Sequence, residues 1–530
     1  MAVNKLNPSA GGIPYGNTAG RPANPGVGRL YSNGELQRLE LYTGATYGWQ
    51  NIVAETPGVT GYSGTVIETN TTNTITITGT NFAGGATVSL IGSDGTEYNA
   101  TSTTVSNLTS ITATFGAISA SLEPYDIRVT NPSNLYGVYY DILIVNDKPV
   151  WTTAAGSLGT CAVNQSFSTQ LAASDEENNA LTYSLVSGSL PTGLTLSSSG
   201  LISGTPSGNT AQTFNFTISV SDSSNTAQSR AFSLAYVVPS VSGGTLTSDA
   251  TYYYRTFTGN GSLIVSNASL NIDYLLIAGG GAGGGAGSND AGTAAGGGAG
   301  GYLYQNSYSL PANTYTVTIG AGGAGGTSSS SQYWNSGVNS TFTGTGVSLS
   351  SVGGGRGDFA SGSGGASGGS GGGSSATRSG ASGTTGQGNA GGNAQVDASG
   401  GGGGAGSAGG NGTSNGVSGS SGNGGSGSNV HSTWLTAISS AMTGVSGWST
   451  ATSGGYIAGG GGGGGGNGYT PGNGGSGGGT TGGVYHGNSN SATQNTGSGS
   501  GGGGTSGSIT TGNGGSGLFI VRYAKASVGG

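Results

Sequence analysis

Apolar and polar positions alternate with a period of two through much of the first 278 residues. Ile75 and Ile77 sit between Thr74, Thr76 and Thr78, and such alternation places one set of side chains on each face of a half-buried strand. Residues 86–91, 110–115, 125–130 and 139–145 read the same way, at the spacing of a two-sheet sandwich. A second set follows at 167–171, 181–185, 194–196, 214–220 and 232–236. Upstream, residues 29–32 and 38–42 predict strands around the Asn33-Gly34 turn, and 49–52 follows a turn at Thr43-Gly44. Pro8, Pro14, Pro22 and Pro25 keep the start of the chain extended. Residues 1–55 are too few to bury a core alone, so this unit is expected to oligomerise or to dock on something larger.

Beyond residue 240 the pattern changes. Strands at 252–257, 261–265 and 273–278 lead into a block of glycine with serine, alanine, asparagine and threonine, and a strand at 517–523 ends it. Shorter strands are expected inside, at 302–304, 314–319 and 347–349. A flexible linker has no reason to be framed by strands rich in Val, Ile and aromatics. Strict collagen repeats need frequent proline, and between 279 and 517 there are only Pro311 and Pro471. Regular Gly-Ala alternation, which a silk-like sheet prefers, is missing too. Two ordered arrangements remain open: irregular glycine loops, and polyglycine II runs packed side by side. The second has no hydrogen bonds inside a run, so its N–H and C=O groups must pair with neighbouring runs. Only glycine permits that approach. One segment carries a helical period: Ser432 is a candidate cap, with Trp434, Leu435, Ile438 and Met442 on one face.

Charge narrows the chemistry. Of 530 residues 6% are charged, and the formal net charge is -7. Twelve scattered basic residues cannot supply the clustered cations that nucleic acid requires. The single Cys161 excludes an intramolecular disulfide and a Cys-based zinc site. The start of the chain, Met1 to Pro8, has no apolar signal-peptide core, and there is no apolar run of about 18 residues to span a bilayer. Between 279 and 517 the only acidic or basic side chains are Asp290, Arg356, Asp358, Arg378 and Asp397. With His431 and His486 as the only histidines, a Ser-His-acid triad has little to draw on. No phosphate loop is possible around Lys5, Lys148 or Lys525. No enzyme and no cofactor are expected. Arg356-Gly357-Asp358 spells an integrin motif, read as accidental in so glycine-rich a block.

Four stretches resemble known families. Gly20-Arg21-Pro22, Arg29-Leu30-Tyr31, residues 39–44 and Trp49 resemble short modules near the N-termini of phage fibre proteins. Gly79-Thr80-Asn81-Phe82 followed by 84–90 resembles the IPT/TIG immunoglobulin-like domains. Residues 190–196 and 200–206 resemble the cadherin-like putative-Ig family. Residues 245–523 resemble the glycine-rich domain of phage tail-fibre and other virion proteins, and in composition a tail-fibre-tip adhesin built from polyglycine II layers. The fold class is therefore expected to be all-β. An N-terminal virion-attachment module (1–55) precedes two immunoglobulin-like sandwiches (56–146 and 147–240) and a glycine-rich β or polyglycine II domain (241–530).

The resemblances imply a fibre or adhesin on a virion surface. Its N-terminus would hold other virion proteins, and its C-terminal domain would meet a host cell-surface glycan or outer-membrane component. A homotrimer is the preferred assembly. A head or neck decoration fibre is one alternative, and a surface protein of antifreeze or biofilm type another. A polysaccharide depolymerase would need two carboxylates about 5 to 9.5 Å apart, which an acid-poor block hardly provides. Asp175, Glu176 and Glu177 sit where cadherin-like relatives often carry a calcium-binding turn, with Asp222 a further ligand; a solvated turn is the competing reading. Tyr333, Trp334, Trp434 and Trp448 are candidate receptor contacts, since aromatic faces stack on neutral sugars, and burial against the glycine layers competes with that role.

Overall fold

The computed structural model describes residues 55–68, 70–285, 293–327, 335–359, 364–505 and 508–529, with short pieces between 15 and 51. Nearly all of the described regular structure is β, in sandwiches strung along the chain. At the N-terminus, Tyr15–Gly16, Leu30–Asn33, Arg38–Tyr42 and Trp49–Asn51 form one four-stranded sheet.

The first sandwich packs the sheet carrying Asn73–Thr80 against the sheet carrying Tyr125–Thr130. Alternate burial along Asn73–Thr80 sends Ile75 and Ile77 into a core with Leu90, Phe115 and Ile127. Gly79 is required there: a Cβ would lie 2.0 Å from Gly58 O and 2.4 Å from the Phe82 ring. In the second sandwich the paired Gln212–Ser221 and Gln228–Val237 send Phe216, Ile218, Phe232 and Leu234 into one core with Trp151. One strand of this sandwich carries no apolar alternation: Gly156–Ala162 pairs in parallel with Gln228–Val237.

The C-terminal domain starts from two five-stranded sheets. Leu518–Ala524 enters the second sheet between Tyr252–Phe257 and Leu270–Ile277, antiparallel to both. This late return explains why the glycine block is framed by hydrophobic strands: both ends belong to one sheet. It also explains their unbroken apolar runs. One face of the pair packs Tyr274, Leu276, Phe519 and Val521 between the sheets. The other face buries Leu275, Ile277, Leu518 and Ile520 beneath the helical segment, and strands buried on both faces do not alternate.

That segment is shorter than its period predicts. An α-helix covers Ser432–Ala437 only, a 3-10 turn follows at Ser439–Met442, and a second short helix spans Trp448–Ala451. His431, not Ser432, occupies the cap position, without a side-chain capping bond. Ile438 leaves helical geometry at φ -93°, ψ 2°. The expected face of Trp434, Leu435, Ile438 and Met442 is nevertheless the buried one, so packing on the sheet holds these turns rather than helix propensity.

The glycine runs extend from the ends of the strands and hydrogen-bond laterally in threes. Gly459, Gly462 and Gly465 donate to Gly477, Thr480 and Gly483; Gly460 and Gly463 donate to Gly425 and Gly422; Gly461 and Gly464 donate to Gly297 and Ala294. Each successive residue thus faces a different neighbouring run, and the same neighbour returns every third residue. A threefold polyglycine II helix within a packed bundle has this signature. Run 296–301 repeats it, donating in turn to the 400–403, 497–500 and 352–355 runs. Of the two ordered arrangements, the block adopts packed polyglycine II over these stretches, not irregular loops.

Candidate binding surface

The register of the runs separates two ends. Next to the sandwich lie Ala278, Gly301 and Gly497, with Ala278 N donating to Gly301 O and Gly300 N to Gly497 O. Six or so residues outward, Gly464 N donates to Ala294 O and Gly503 N to Gly284 O. At about 3.1 Å per residue a run of this length holds its far turn roughly 20 Å from the sheets. The far turns are tied to one another. Gln395 Oε1 accepts from Ser414 N at 2.9 Å, Ser414 Oγ lies 2.8 Å from Tyr469 Oη, and His486 N donates to Thr505 O at 3.1 Å. Asp397 O and Thr505 flank Gly466. The turns around 395–397, 414–418, 466–469 and 484–487 therefore form one continuous distal surface. Tyr469 is buried within it, while four other apolar members are exposed: Val417 at 83%, Val484 at 60%, Val396 at 57% and Tyr485 at 41%. Sequence reasoning missed these valines, because single apolar residues among Gly, Ser and Asn carry no periodic signal.

Asp358 organises another of these turns. It is fully buried, and its carboxylate accepts from Phe359 N, Gly364 N, Ser375 N and Ser375 Oγ, with Arg378 in an ion pair at 3.0 Å. The Arg-Gly-Asp triplet therefore has no acidic group to offer a receptor.

Of the two readings open for the aromatic candidates, burial holds for the two tryptophans of the helical segment. Trp434 and Trp448 are 2% and 5% exposed, packed with Leu275, Ile277 and Ile520. The receptor-stacking role on exposed loops is corrected for both: the sheet's outer face needs an apolar cover, and these rings supply it. Trp434 also lies 4.5 Å under the Arg522 guanidinium, which Tyr252 meets at 4.2 Å and which pairs with Asp273 at 2.7 Å. Tyr333 and Trp334 lie outside the described residues. His431 is buried beside Trp434, with Nδ1 2.5 Å from Tyr302 Oη. Burial, reinforced by Arg522, holds its pKa below the ordinary value, so it stands as a neutral packing group.

The calcium candidates do not converge. Asp222 accepts from Ser224 N, Asn225 N and Asn225 Nδ2. Burial pushes its pKa up, but the bonds from Asn225 and Ser224 outweigh that and hold it below the ordinary range. Asp175 Oδ1 accepts from Asn179 N, and Glu176 is exposed. Among the described residues no group of three or more His, Cys, Asp or Glu side chains is placed to hold a metal ion. Asp222 instead anchors Asn225, whose Nδ2 reaches Asn146 O at 2.9 Å and Asp147 O at 2.7 Å where the two sandwiches join.

At this junction Asp147 is pushed up to about 6, first by burial and then by Glu177 and Glu123. The folded state therefore holds its proton more tightly than the unfolded chain does. Stability from this group is present below the ordinary value near 3.8 and lost as pH rises through about 6. Asp222, lowered instead, loses its contribution as the pH falls below its ordinary range. The melting temperature of the sandwich transition is expected to rise from pH 7 to pH 5 and to fall again in stronger acid. Calorimetry across that range checks it, and a steady decline below pH 7 would contradict it.

Comparison with known proteins agrees with this architecture. The family model described as "Glycine-rich domain" matches residues 255–524, and the one described as "Putative Ig domain" matches residues 149–237. No curated protein matches. Among solved structures the chain is similar to DIP-gamma IG1+IG2, at 12% identity over 35% of this chain and 99% of that one, with a TM-score of 0.21. The protocadherin GammaB4 extracellular domain is similar at 19% identity over 39% of this chain and 40% of that one, TM-score 0.21. The titin I-band fragment I67–I69 is similar at 11% identity over 42% and 80%, TM-score 0.21. Nothing about this chain's role follows from these likenesses. The first family model covers just over half of the 530 residues, and the chain belongs to the glycine-rich domain family.

Proposed function

We propose that this chain is a non-enzymatic virion fibre protein, an adhesin whose distal glycine-run turns contact the surface of a host cell. In this reading the N-terminal sheet docks on other virion proteins, the two sandwiches are spacers, and the fibre is a homotrimer. The observation that carries it is the distal surface. A laterally hydrogen-bonded glycine lattice holds several turns in fixed register, and those turns expose Val396, Val417, Val484 and Tyr485. Exposed apolar groups on a rigid support suit recognition of a cell-surface glycan or an outer-membrane component. A depolymerase reading draws no support from Asp358, whose carboxylate is buried in an ion pair.

The test is competition. Purified full-length protein added to host cells is expected to block adsorption of the particle that carries it, with little change between low and high salt, because the distal turns offer few charges to screen. Failure to compete, together with normal adsorption of particles lacking the protein, would favour a decoration fibre.

A further inference from the structure

The helical insertion that covers the outer face of the C-terminal sheet does not fill its own volume. Between Ser432–Ala437 and Trp448–Ala451 it leaves an open cleft of about 520 Å³, a size that suits a small ligand. Half-buried Val445, over the largely buried Leu435, Met442 and Trp448, gives it an apolar floor. Gly455 sets its shape: φ is 78°, and a Cβ there would lie 2.3 Å from Ser432 Cβ. No charged side chain lines it.

The hydroxyls around the cleft say what would fit. Thr436 Oγ1 donates to Ser432 O at 3.2 Å, Thr443 Oγ1 to Ser440 O at 3.2 Å, and Thr452 Oγ1 to Trp448 O at 2.8 Å. Each has committed its proton to a backbone carbonyl and can only accept from a ligand. Ser439 and Ser449 also line the cleft and make no side-chain hydrogen bond among the described residues, so they can donate as well as accept. The matching ligand carries several hydroxyl donors, some acceptors, an apolar face and no charge. We infer that this cleft binds a neutral saccharide ring. A charged sugar would lose hydration with no counter-ion to meet it, and a purely apolar group would leave the hydroxyls unpaired. The site lies beside the sandwich, away from the distal turns, and does not depend on their role.

Saturation-transfer NMR on the full-length protein tests this, using the methyl glycosides of glucose, galactose, mannose and N-acetylglucosamine, with glucuronate and 1-hexanol as comparisons. At least one neutral glycoside is expected to bind, at least tenfold more tightly than glucuronate. Combining Thr452→Val with Ser439→Leu is expected to weaken that binding at least tenfold at an unchanged melting temperature, and Thr452→Ser alone to retain it. Leu108→Ser, in an exposed turn of the first sandwich, is expected to leave it intact. The inference is overturned if none of the four glycosides binds, if the double variant binds as well as the parent, or if 1-hexanol alone occupies the cleft.

Discussion

Replacing Gly462 with valine is expected to destroy the packing of the glycine domain. Gly462 N donates to Thr480 O, and its own carbonyl accepts from Gly502 N, both at 2.9 Å. A Cβ at this position would lie 2.0 Å from Gly472 O and 2.5 Å from Gly472 C. The obstacle is backbone of a neighbouring run, itself held on its other sides, so no side chain can rotate away to relieve it. Overpacking of this kind costs about 3 kcal/mol or more. In a domain of this size that lowers the melting temperature by roughly 6–12 °C. Gly444 is the control: nothing lies within 4 Å of its Cβ position and its φ is not in the left-handed region. Gly444→Ala is expected to melt like the parent. Scanning calorimetry of the two variants reads the difference, and equal melting temperatures would mean that the block has no lattice to disrupt.

The second large effect concerns binding without stability. Val417→Asp combined with Val484→Asp places two carboxylates on the exposed distal turns. If those turns carry recognition, competition for host cells should fall by about thirty-fold, the loss of about 2 kcal/mol that truncating a central contact brings. The melting temperature should stay put, since exposed substitutions rarely change stability by more than about 0.5 kcal/mol. Trp434→Ala should do the opposite. It removes a buried ring from the cover of the sheet and should cost about 3–5 kcal/mol of stability. Full competition by the double aspartate variant would remove the distal turns from recognition.

How far the chain could be read ahead of its structure depended on where each signal lives. The sandwich strands were legible because their signal is local: Ile75 and Ile77 alternate with threonines, and a turn bounds them. Gly156–Ala162 was invisible, since Leu158 and Cys161 stand three apart across a register shift, out of period two, and its place is set by the neighbouring strand. The frame of the glycine block was legible as two apolar strands, but not that they are neighbours in one sheet. Within the block, partners such as Gly461 and Gly297 are far apart in sequence, and glycine has no side chain to advertise the match. The apolar face of the helical segment was legible, and its burial decided against Trp434 and Trp448 as exposed contacts. Which apolar residues would be exposed followed only from the register of the runs.

A fixed distal surface requires the glycine block to be a lattice rather than a tether, and hydrogen exchange read by mass spectrometry tests that most directly. In peptides covering 459–465, every amide donates to a neighbouring run or its attached turn. Their exchange is predicted to be protected to the same order as the core strand Leu270–Ile277, opening only with the whole domain. Exchange of 459–465 within seconds, while Leu270–Ile277 stays protected, would contradict the lattice and with it the fixed distal surface.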